Sequence, residues 1–459
     1  MGLHHGWWRR RGNRSAARLV RTGCVMLALA LSALALPAAA AALTPPQSDP
    51  FYKAPAKLAS YSLGTILRSR PVTLAAFGPL PQHVQAWQLL YRTTNYQGRP
   101  EATVTTVLLP AGGKKPRGLI SYQVAEDAVA PQCAMSYTLR EATRPEVVNQ
   151  AEILLIDAAV AQGFAISVPD YEGPHGDFGA PRQPGYAILD GIRAAERFKP
   201  LGLNGTRTPV GIWGYSGGSL ASGWAAQVQP HYAPKLNVKG IAVGGFATNL
   251  GQALTKINGG VGSGLIFSVL DGVARSQPAI AAALNTYVTP TGKAMLARGA
   301  SQCEVANLTQ YDFKNINRYL TISLAKLVVL PAVKRALGAV DLGGTAPKVP
   351  LFVYHAVNDE LIPVAGVDAI VKKYCAAGDS VTYTRDSLSE HVTLAFIGAP
   401  EALNWLTERL TGGAVPRGCS TTTVPTMVLN PITLTSGAQL VFADAFALLD
   451  QPIGASEIF

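Results

Sequence analysis

The sequence predicts an α/β fold in which a mainly parallel sheet carries helices on both faces. Two observations predict it. Strand-length apolar runs alternate with helix-length segments along most of the chain, and the runs are apolar at nearly every position, as in strands buried on both faces. Of the 459 residues, 48% are hydrophobic and 15% are charged. Such a chain can bury a large core, and its length indicates two domains or one core with a large insertion.

The first 42 residues have the pattern of an export signal. Six arginines between Arg9 and Arg21 precede an apolar run at 24–36, Pro37 ends that run, and alanines supply cleavage sites near Ala40–Ala42. The run of 13 residues is too short to span a bilayer, so a cleaved signal is favoured over an anchor. The sequence therefore predicts a secreted protein, exported by the general or the twin-arginine route.

Removing this leader changes the charge. The whole chain has a net charge of +11, but residues 1–42 hold six arginines and no acidic residue, which leaves 33 basic and 28 acidic residues, a net charge of +5. No basic tract with interleaved aromatic residues is present, so we expect no nucleic-acid partner. No second run of 18 apolar residues follows, and we expect the mature protein to be soluble.

The cysteines indicate disulfides rather than a metal site. After the leader the chain contains Cys133, Cys303, Cys375 and Cys419. An even number in an exported chain predicts two disulfides, and their spacing leaves three possible pairings. There is no CxxC motif and no His and Cys cluster with metal-ligand spacing, so we expect neither a metal nor a cofactor.

The predicted elements begin with a hairpin at 84–112 that turns at NYQGRP, followed by a strand at 118–128 that runs into a loop. A helix from residue 146 breaks at Gly163 before a strand that ends near Pro169. The segment 185–198 is amphipathic and predicts a helix. Further strands are predicted at 210–213, at 238–248, within 349–363 together with a loop, and at 380–391, the last of the sheet.

About a hundred residues separate the strands near 248 and 349, where a single helix would suffice. They contain two very apolar stretches with helical patterns. Since the flanking strands belong to one sheet, we interpret this segment as a helical cap inserted into the core, and ordinary core helices are the alternative. The predicted organisation is a signal peptide at 1–42, core segments at 43–248 and 347–420, the cap at 249–346, and a tail at 421–459.

The stretch VGIWGYSGGSLASGWAAQ, residues 210–227, has the pattern of a nucleophile turn. A strand up to Trp213 and a helix from Ser219 flank a G-x-S-x-G motif centred on Ser216. Such a turn lifts the serine hydroxyl above the sheet, and glycines are needed because side chains would collide with the adjoining strand and helix. The alternative is a glycine-rich turn with an incidental serine.

An aspartate and a histidine follow Ser216 along the chain, in an order that favours a catalytic role for all three. Asp359 comes just after the predicted strand LFVYHA, where catalytic groups gather in parallel sheets; its two neighbours are rivals, and a turn or capping role is the alternative. His391 is the only histidine after this acid, whereas His355, inside the strand, is interpreted as a core residue. The order Ser216, Asp359, His391 is typical of the α/β-hydrolase fold, in which the histidine accepts the serine proton and the aspartate orients the imidazole.

With these residues the sequence resembles the secretory lipase family, the lipase A-like α/β-hydrolases of fungi and actinobacteria. The family hydrolyses ester bonds in acylglycerols and other lipids. The resemblance therefore implies Ser216, Asp359 and His391 as a catalytic triad, a lipid or small-ester substrate, contact with a lipid–water interface, and disulfides between Cys133 and Cys303 and between Cys375 and Cys419. The matching stretches, within residues 121–397, are SYQVAEDA, PDYEGPHGDF, GYAILDGIRAA, GYSGGSLASGWAA, YHAVNDELIP and EHVTLAF.

The resemblance also implies an oxyanion hole made by Gly217, after the serine, and by Asp127, in the stretch YQVAEDA. No HGGG motif is present, and AEDA follows the strand that usually supplies the second donor. The backbone N–H of Asp127 is one candidate donor. Its carboxyl can donate only when protonated, which requires a raised pKa in an apolar site. A solvated loop at Glu126 and Asp127 is the alternative.

The resemblance thus implies a secreted triacylglycerol lipase or carboxylesterase that works through an acyl-enzyme. The rivals are a peptidase, an acyltransferase or a small-ester esterase on the same triad, and a non-catalytic adhesive protein. Within the cap, the segment 320–340 is interpreted either as plain packing or as the wall of an acyl tunnel over Ser216, with Pro331 ending its first helix. The tunnel interpretation predicts that Leu327→Trp selectively impairs hydrolysis of long-chain esters.

Overall fold

The computed structural model describes residues 43–454, apart from 141–142 and 144–145, so the predicted signal peptide lies outside the described residues. Apolar, β-branched and aromatic runs form the strands of this part of the chain. These strands are β1 (Ile66–Val72), β2 (Ala75–Ala76), β3 (Leu80–Pro81), β4 (Gln85–Thr94), β5 (Pro100–Leu109), β6 (Leu119–Gln123), β7 (Ala165–Pro169), β8 (Val210–Tyr215), β9 (Val238–Gly244), β10 (Leu351–Ala356), β11 (Val381–Asp386) and β12 (Cys419–Val424).

The α-helices of the described residues cover the sheet and fill the long segment between β9 and β10. They are α1 (Met135–Thr138), α2 (Val147–Ala151), α3 (Ile153–Ala161), α4 (Gln183–Arg197), α5 (Gly217–Tyr232), α6 (Leu250–Ile257), α7 (Leu265–Ser276), α8 (Pro278–Tyr287), α9 (Pro290–Gly299), α10 (Glu304–Tyr311), α11 (Leu324–Val329), α12 (Pro331–Val340), α13 (Val364–Ala376), α14 (His391–Ile397), α15 (Ala399–Leu410) and α16 (Pro431–Leu448).

Apart from the small β2–β3 hairpin, the described strands join one sheet in the order β1-β4-β5-β7-β6-β8-β9-β10-β11-β12. The pairs among β1, β4, β5 and β7 are antiparallel, and every pair from β7 to β12 is parallel. This confirms the predicted α/β class with its mainly parallel sheet. Every residue of β6, β7, β8 and β10 is buried, which explains their unbroken apolar runs.

The prediction that the strand at 380–391 is the last one is wrong, because β12 pairs with β11 at the edge of the sheet. β12 crosses residue 420, where the predicted core ends and the predicted tail begins. The strand CSTTTV is exposed along nearly its whole length and has no apolar face. Without a buried face, an edge strand leaves no hydrophobic pattern to detect in the sequence.

Two apolar cores lie on the two faces of the sheet. One contains Ile212 and Val353 and continues into the helices between β9 and β10. The other contains Trp213 and Phe352, the chain neighbours of those residues, and continues into α3, α15 and α16. Successive strand residues point to opposite faces, so a single buried strand supplies both cores.

The segment 249–346, all of it described, holds α6–α12, which we call the inserted helices. Pro331 ends α11 and starts α12, as expected for a residue that lacks an N–H and fits the first helical turn. A disulfide joins Cys133, in the loop after β6, to Cys303, which precedes α10. A second disulfide joins Cys375 to Cys419 and ties α13 to the edge strand β12.

Candidate active site

Ser216 stands at the turn between β8 and α5, with φ 49° and ψ −122°. This backbone conformation is strained in a non-glycine residue and costs on the order of 1–3 kcal/mol, which the surrounding packing must offset. A Cβ on Gly214 would lie 2.3 Å from the carbonyl oxygen of Gly218, and one on Gly218 would lie 1.9 Å from that of Gln123. The flanking glycines therefore allow the turn to form.

His391 is the first residue of α14, and two hydrogen bonds hold its backbone. Its N–H donates to Glu360 Oε2 at 3.0 Å, and its carbonyl accepts from Tyr215 Oη at 2.6 Å. The carboxylate of Glu390 caps the helix by accepting from the next two N–H groups. A Cβ on Gly245 would lie 2.8 Å from His391 Cε1, so a glycine there makes room for the imidazole.

A hydrogen-bonded chain connects the predicted acid, histidine and serine. Asp359 Oδ2 lies 2.7 Å from His391 Nδ1, and His391 Nε2 lies 2.8 Å from Ser216 Oγ. Because a carboxylate can only accept, Nδ1 carries the hydrogen and Nε2 is left to accept from the serine hydroxyl. Asp359 Oδ1 accepts the N–H groups of Leu361 and Ile362 at 2.9 and 2.7 Å. Three hydrogen bonds thus fix the orientation of the carboxylate.

The electrostatics of this chain suit proton transfer to His391. Burial by itself would lower the pKa of His391, but the adjacent Asp359 carboxylate outweighs it and holds that pKa above its usual value. Burial opposes ionisation of Asp359, yet contact with His391 keeps the pKa of this carboxyl below its usual range. The aspartate therefore stays ionised and favours the imidazolium that forms when the serine loses its proton.

Asp127 and Gly217 lie together beside the serine. Asp127 has φ 41° and is 5% exposed, and its Oδ1 lies 1.8 Å from the position of a Cβ on Gly217. Any side chain after Ser216 would displace this carboxyl. Oδ1 is buried and has no hydrogen-bond partner among the described residues. Gly217 is the first residue of α5, so its N–H has no acceptor within the helix.

Burial raises the pKa of Asp127 to about 6, against the opposing effect of His391. Three further buried carboxyls surround it, and burial followed by repulsion from neighbouring acids raises the pKa of each well above its usual value; these are Glu126, Glu172 and Glu304. Neutral acids at these positions place no negative charge beside Asp127. The structure excludes the alternative of a solvated loop at Glu126 and Asp127, since both residues are buried.

Two buried side chains, Tyr171 and Glu152, hold the loop at 124–127 through hydrogen bonds to its backbone. Tyr171 Oη donates to the carbonyl of Val124 at 2.8 Å. Glu152 Oε1 accepts from the N–H of Ala125 at 2.9 Å, while its Oε2 accepts from Tyr122 Oη at 2.6 Å. These bonds fix the backbone that leads into Asp127, and nothing in the local sequence pattern identifies them.

Asn149 links the same loop to the inserted helices. Its amide nitrogen donates to the carbonyl of Ala125 and, at 2.8 Å, to Glu304 Oε2. Glu304 follows Cys303, which is bonded to Cys133. The inserted helices are therefore attached to the loop of Asp127 by a disulfide and by a buried hydrogen-bond bridge.

A narrow apolar cavity of about 50 Å³ opens next to Ser216 and is enclosed between the sheet and the inserted helices. Its polar atoms come from the serine turn and from Asp127, and the rest of its wall is aliphatic or aromatic. It is lined by Asp127, Phe178, Ser216, Gly217, Leu220, Ala247, Leu250, Ala253, Leu254, Ile257, Leu265, Val269, Leu361 and Ile362. Leu327 is 3% exposed and packs in the core, and no residue of 320–340 lines this cavity, which favours the packing interpretation of that segment; α6 and α7 supply the wall.

His355, interpreted as a core histidine, is buried but also holds the loop of the acid. Its Nδ1 accepts from the N–H of Phe246, and its Nε2 donates to the carbonyl of Ile362, both at 3.1 Å. Nε2 is 3.6 Å from Asp359 Oδ2. Burial lowers the pKa of His355, which keeps the ring neutral and suited to this pair of bonds. In the sequence, the position of His355 at the end of the strand, four residues before Asp359, was the one indication of this role.

Across the described residues, no group of three His, Cys, Asp or Glu side chains is arranged to hold a metal ion.

Comparison with known proteins gives consistent results. The profile of the secretory lipase family matches residues 140–418. The chain is 42% identical over 400 residues, 86% of its length and 89% of the relative, to the probable inactive lipase MT1628 of Mycobacterium tuberculosis. It is 36% identical over 451 residues, 96% of either protein, to lipase A of Arthroderma benhamiae.

Among solved structures, the X-ray structure of Candida antarctica lipase A superposes with a TM-score of 0.79 at 28% sequence identity, over 90% of this chain and 99% of that one. By sequence and by structure, the chain belongs to the secretory lipase family.

Proposed function

We propose that this protein is a secreted serine hydrolase that cleaves carboxylic ester bonds of lipids through an acyl-enzyme. The observation that carries the proposal is the hydrogen-bonded chain from Asp359 through His391 to Ser216 at a strained strand-to-helix turn. Three residues from three separate loops meet there with the distances that general-base catalysis needs.

In the proposed reaction, Ser216 Oγ attacks the ester carbonyl while its proton passes to His391 Nε2. The oxyanion that forms is stabilised by the N–H of Gly217 and by a donor from Asp127. The C–O bond of the alcohol then breaks, and His391 protonates the leaving alkoxide. Water, deprotonated by the same histidine, attacks the acyl-enzyme and releases the acid and Ser216. Asp359 stays ionised throughout.

The substrate proposal rests on the family and on the cavity. An almost wholly apolar wall beside the serine suits an acyl chain, and Asp127 is the one ionisable residue among the described lining residues. The second candidate, a small-ester esterase, is favoured by the small volume of the cavity, about 50 Å³. Rates on p-nitrophenyl esters of increasing acyl length distinguish the two.

Secretion is supported by the leader at 1–42, by the two disulfides and by the family. A non-catalytic role has one observation in its favour, the word "inactive" in the name of the M. tuberculosis relative. The assembled triad of this chain argues for catalysis here.

Ser216→Ala tests the proposal. We expect it to lower ester hydrolysis on the order of 10⁴-fold or more and to abolish labelling by a fluorophosphonate, because members of a triad act as a unit. Ser301→Ala, an exposed serine of the inserted segment, is the matched control and should keep full activity. Wild-type protein that neither hydrolyses esters nor takes the label would identify a non-catalytic protein, and an active Ser216→Ala variant would exclude this nucleophile.

A further inference from the structure

A large groove lies on the outer side of α6 and shares no lining residue with the cavity beside Ser216. Its volume is about 840 Å³, a size typical of sites that bind small molecules. Residues of α6, α11 and α12 form its walls, and residues at the start of α13 complete it. We call it the outer groove and define it by Gln252, Thr255, Ala325, Val329, Leu337 and Gly338.

The two faces of α6 line two different spaces. Leu250, Leu254 and Ile257 are buried and line the cavity beside Ser216. Gln252 and Thr255 are exposed and line the outer groove. Residues three or four apart share a face of a helix, so the two sets lie on opposite sides of α6. This helix is therefore the partition between the small cavity and the outer groove.

Gly338 leaves part of the outer groove open. It is an exposed residue in the interior of α12, its φ is not positive, and a Cβ built on it would meet no described atom within 4 Å. A glycine inside a helix is less favourable than an alanine, because its backbone loses more freedom on folding. Neither the backbone conformation nor the packing therefore requires a glycine here. Its effect is to keep free the space that a larger side chain would fill.

Two lysines bring positive charge to this largely apolar groove. Lys256, in the last turn of α6, and Lys334, in α12, both line it. Neither ammonium group has an ion-pair or hydrogen-bond partner among the described residues. Asp341, the one acidic residue of the described lining, is engaged at the start of α6, where it accepts from Asn249 Nδ2 at 2.6 Å and from Leu250 N–H at 3.2 Å. The two lysines are therefore available to an anion.

An apolar wall with two unpaired cations complements a single-chain amphiphile that has an anionic head group. The alkyl chain would lie along Ala325, Val329 and Leu337, and the head group would reach the two ammonium groups. Lysine suits this arrangement, because its methylene stem can lie along apolar surface while its charge stays in water. A groove between helices accepts one such molecule, unlike a flat surface that meets a whole lipid layer.

The proposed reaction releases a molecule of this kind. Hydrolysis of a lipid ester yields a fatty acid, which is ionised at neutral pH. The outer groove has a volume of about 840 Å³, against about 50 Å³ for the cavity beside Ser216, and only α6 separates the two spaces. The choice of a carboxylate as the head group rests on the proposed function, whereas the apolar wall and the lysines do not depend on it.

We infer that the outer groove is a binding site for a fatty acid, separate from the cavity beside Ser216. The carboxylate binds Lys256 and Lys334, and the alkyl chain packs between α6, α11 and α12.

The test is isothermal titration calorimetry of the mature protein with sodium decanoate, kept below its micelle concentration and without vesicles. We expect saturable binding. Gly338→Leu places a side chain in the groove and should weaken binding on the order of ten-fold or more, and it should raise the temperature of unfolding because leucine is the better helix former. Ala339→Leu, at the next exposed position of α12 and outside the lining, is the matched control and should bind like the wild type.

Ala325→Phe fills the groove from α11 and should give the same loss, so the test does not depend on one variant. Hydrolysis of a soluble acetate ester should be unchanged in all three variants, since none of these residues lines the cavity beside Ser216. Ser216→Ala protein should bind decanoate like the wild type, so failure of the catalytic proposal leaves this result readable.

The lysines are tested by comparing an anionic with an uncharged ligand. The double substitution Lys256→Gln and Lys334→Gln should weaken binding of decanoate on the order of ten-fold and leave binding of decan-1-ol unchanged. The matched control, Lys326→Gln with Arg335→Gln, removes the same charge from exposed positions outside the lining and should bind both ligands like the wild type.

Four results would overturn the inference: no saturable binding by the wild type, equal binding by the wild type and both groove-filling variants, an equal loss in the controls, or an equal effect of the lysine substitutions on decanoate and decan-1-ol. Binding that survives in the groove-filling variants but is lost when a phosphonate occupies Ser216 would place the fatty acid in the cavity beside the serine instead.

Discussion

The side chain of Asp127 can act in two ways at the candidate active site, depending on whether its carboxyl is ionised or protonated. As a carboxylate it can only accept, and the backbone would have to stabilise the oxyanion alone. As a neutral acid it can donate from the unpartnered Oδ1 position beside Gly217. The pKa of about 6 means that both forms are accessible near neutral pH. The pH dependence of the reaction can therefore distinguish them.

Asp127→Asn should remove the alkaline decline of kcat/KM. Activity rises with pH as His391, whose pKa is raised, loses its proton; it falls as the carboxyl of Asp127, with a pKa of about 6, becomes ionised. Asparagine supplies a donor that does not titrate, so the profile should stay flat at high pH. Asp127→Ala should lower kcat on the order of 10²- to 10³-fold. A decline that persists in Asp127→Asn would show that the carboxyl is not the donor.

The packing of α16 on α3 contains an unusual pair of acids. Asp157, on α3, is fully buried and neither of its carboxyl oxygens has a hydrogen-bond partner among the described residues. Burial, and then repulsion from Asp444 on α16, raise the pKa of Asp157 well above its usual value. Burial raises the pKa of Asp444 to about 7. The two helices therefore pack best when both acids are neutral.

Asp444→Asn should stabilise the protein at high pH and leave it unchanged at low pH. Because the folded-state pKa lies above the unfolded value of about 3.9, the favourable contribution is complete below that value and is lost as the pH rises through about 7. We expect the free energy of unfolding at pH 8 to rise by about 1–3 kcal/mol, with no change at pH 4. Denaturant unfolding at both pH values measures it. Asp450→Asn, at the exposed end of the helix, is the control. An equal gain for Asp444→Asn at both pH values would show that ionisation of Asp444 does not cause the difference in stability.

The cavity beside Ser216 exists only where the core and the inserted helices meet. Ser216 and Leu361 belong to the core side, whereas Ala253 and Leu265 come from α6 and α7. Neither part alone forms the space, and the link between Asn149 and Glu304 holds the two together next to the loop of Asp127. The shape of this cavity is therefore a property of the whole molecule.

Ala253→Phe should lower hydrolysis of long-chain esters at least ten-fold while changing hydrolysis of acetate esters little. The alanine is partly exposed towards the cavity, so a phenyl ring can fill the space with little disruption of packing. Ala325→Phe, on the outer side of α11, is the matched control and should behave as the wild type. Rates on an ester ladder measure both, and an equal loss at all chain lengths would show that the cavity does not hold the acyl chain.

The sequence by itself determined the α/β class, the turn at Ser216 and the order of the acid and the histidine. These features are local, since a buried strand, a glycine turn and a strand end each have their own residue pattern. The distances that join Asp359, His391 and Ser216 follow from the parallel sheet, which brings the carboxyl ends of its strands to one edge.

Only the tertiary structure decided the rest. The edge strand β12 has no buried face to reveal it. The segment 320–340 could be interpreted as packing or as cavity wall, because an apolar helix pattern does not say what the helix packs against. Asn149 and Glu304 are 155 residues apart, and their hydrogen bond exists only because the fold brings both into a dry space. Burial raises the pKa values of Asp127 and Asp444, and burial is a property of three-dimensional packing that the order of residues does not display.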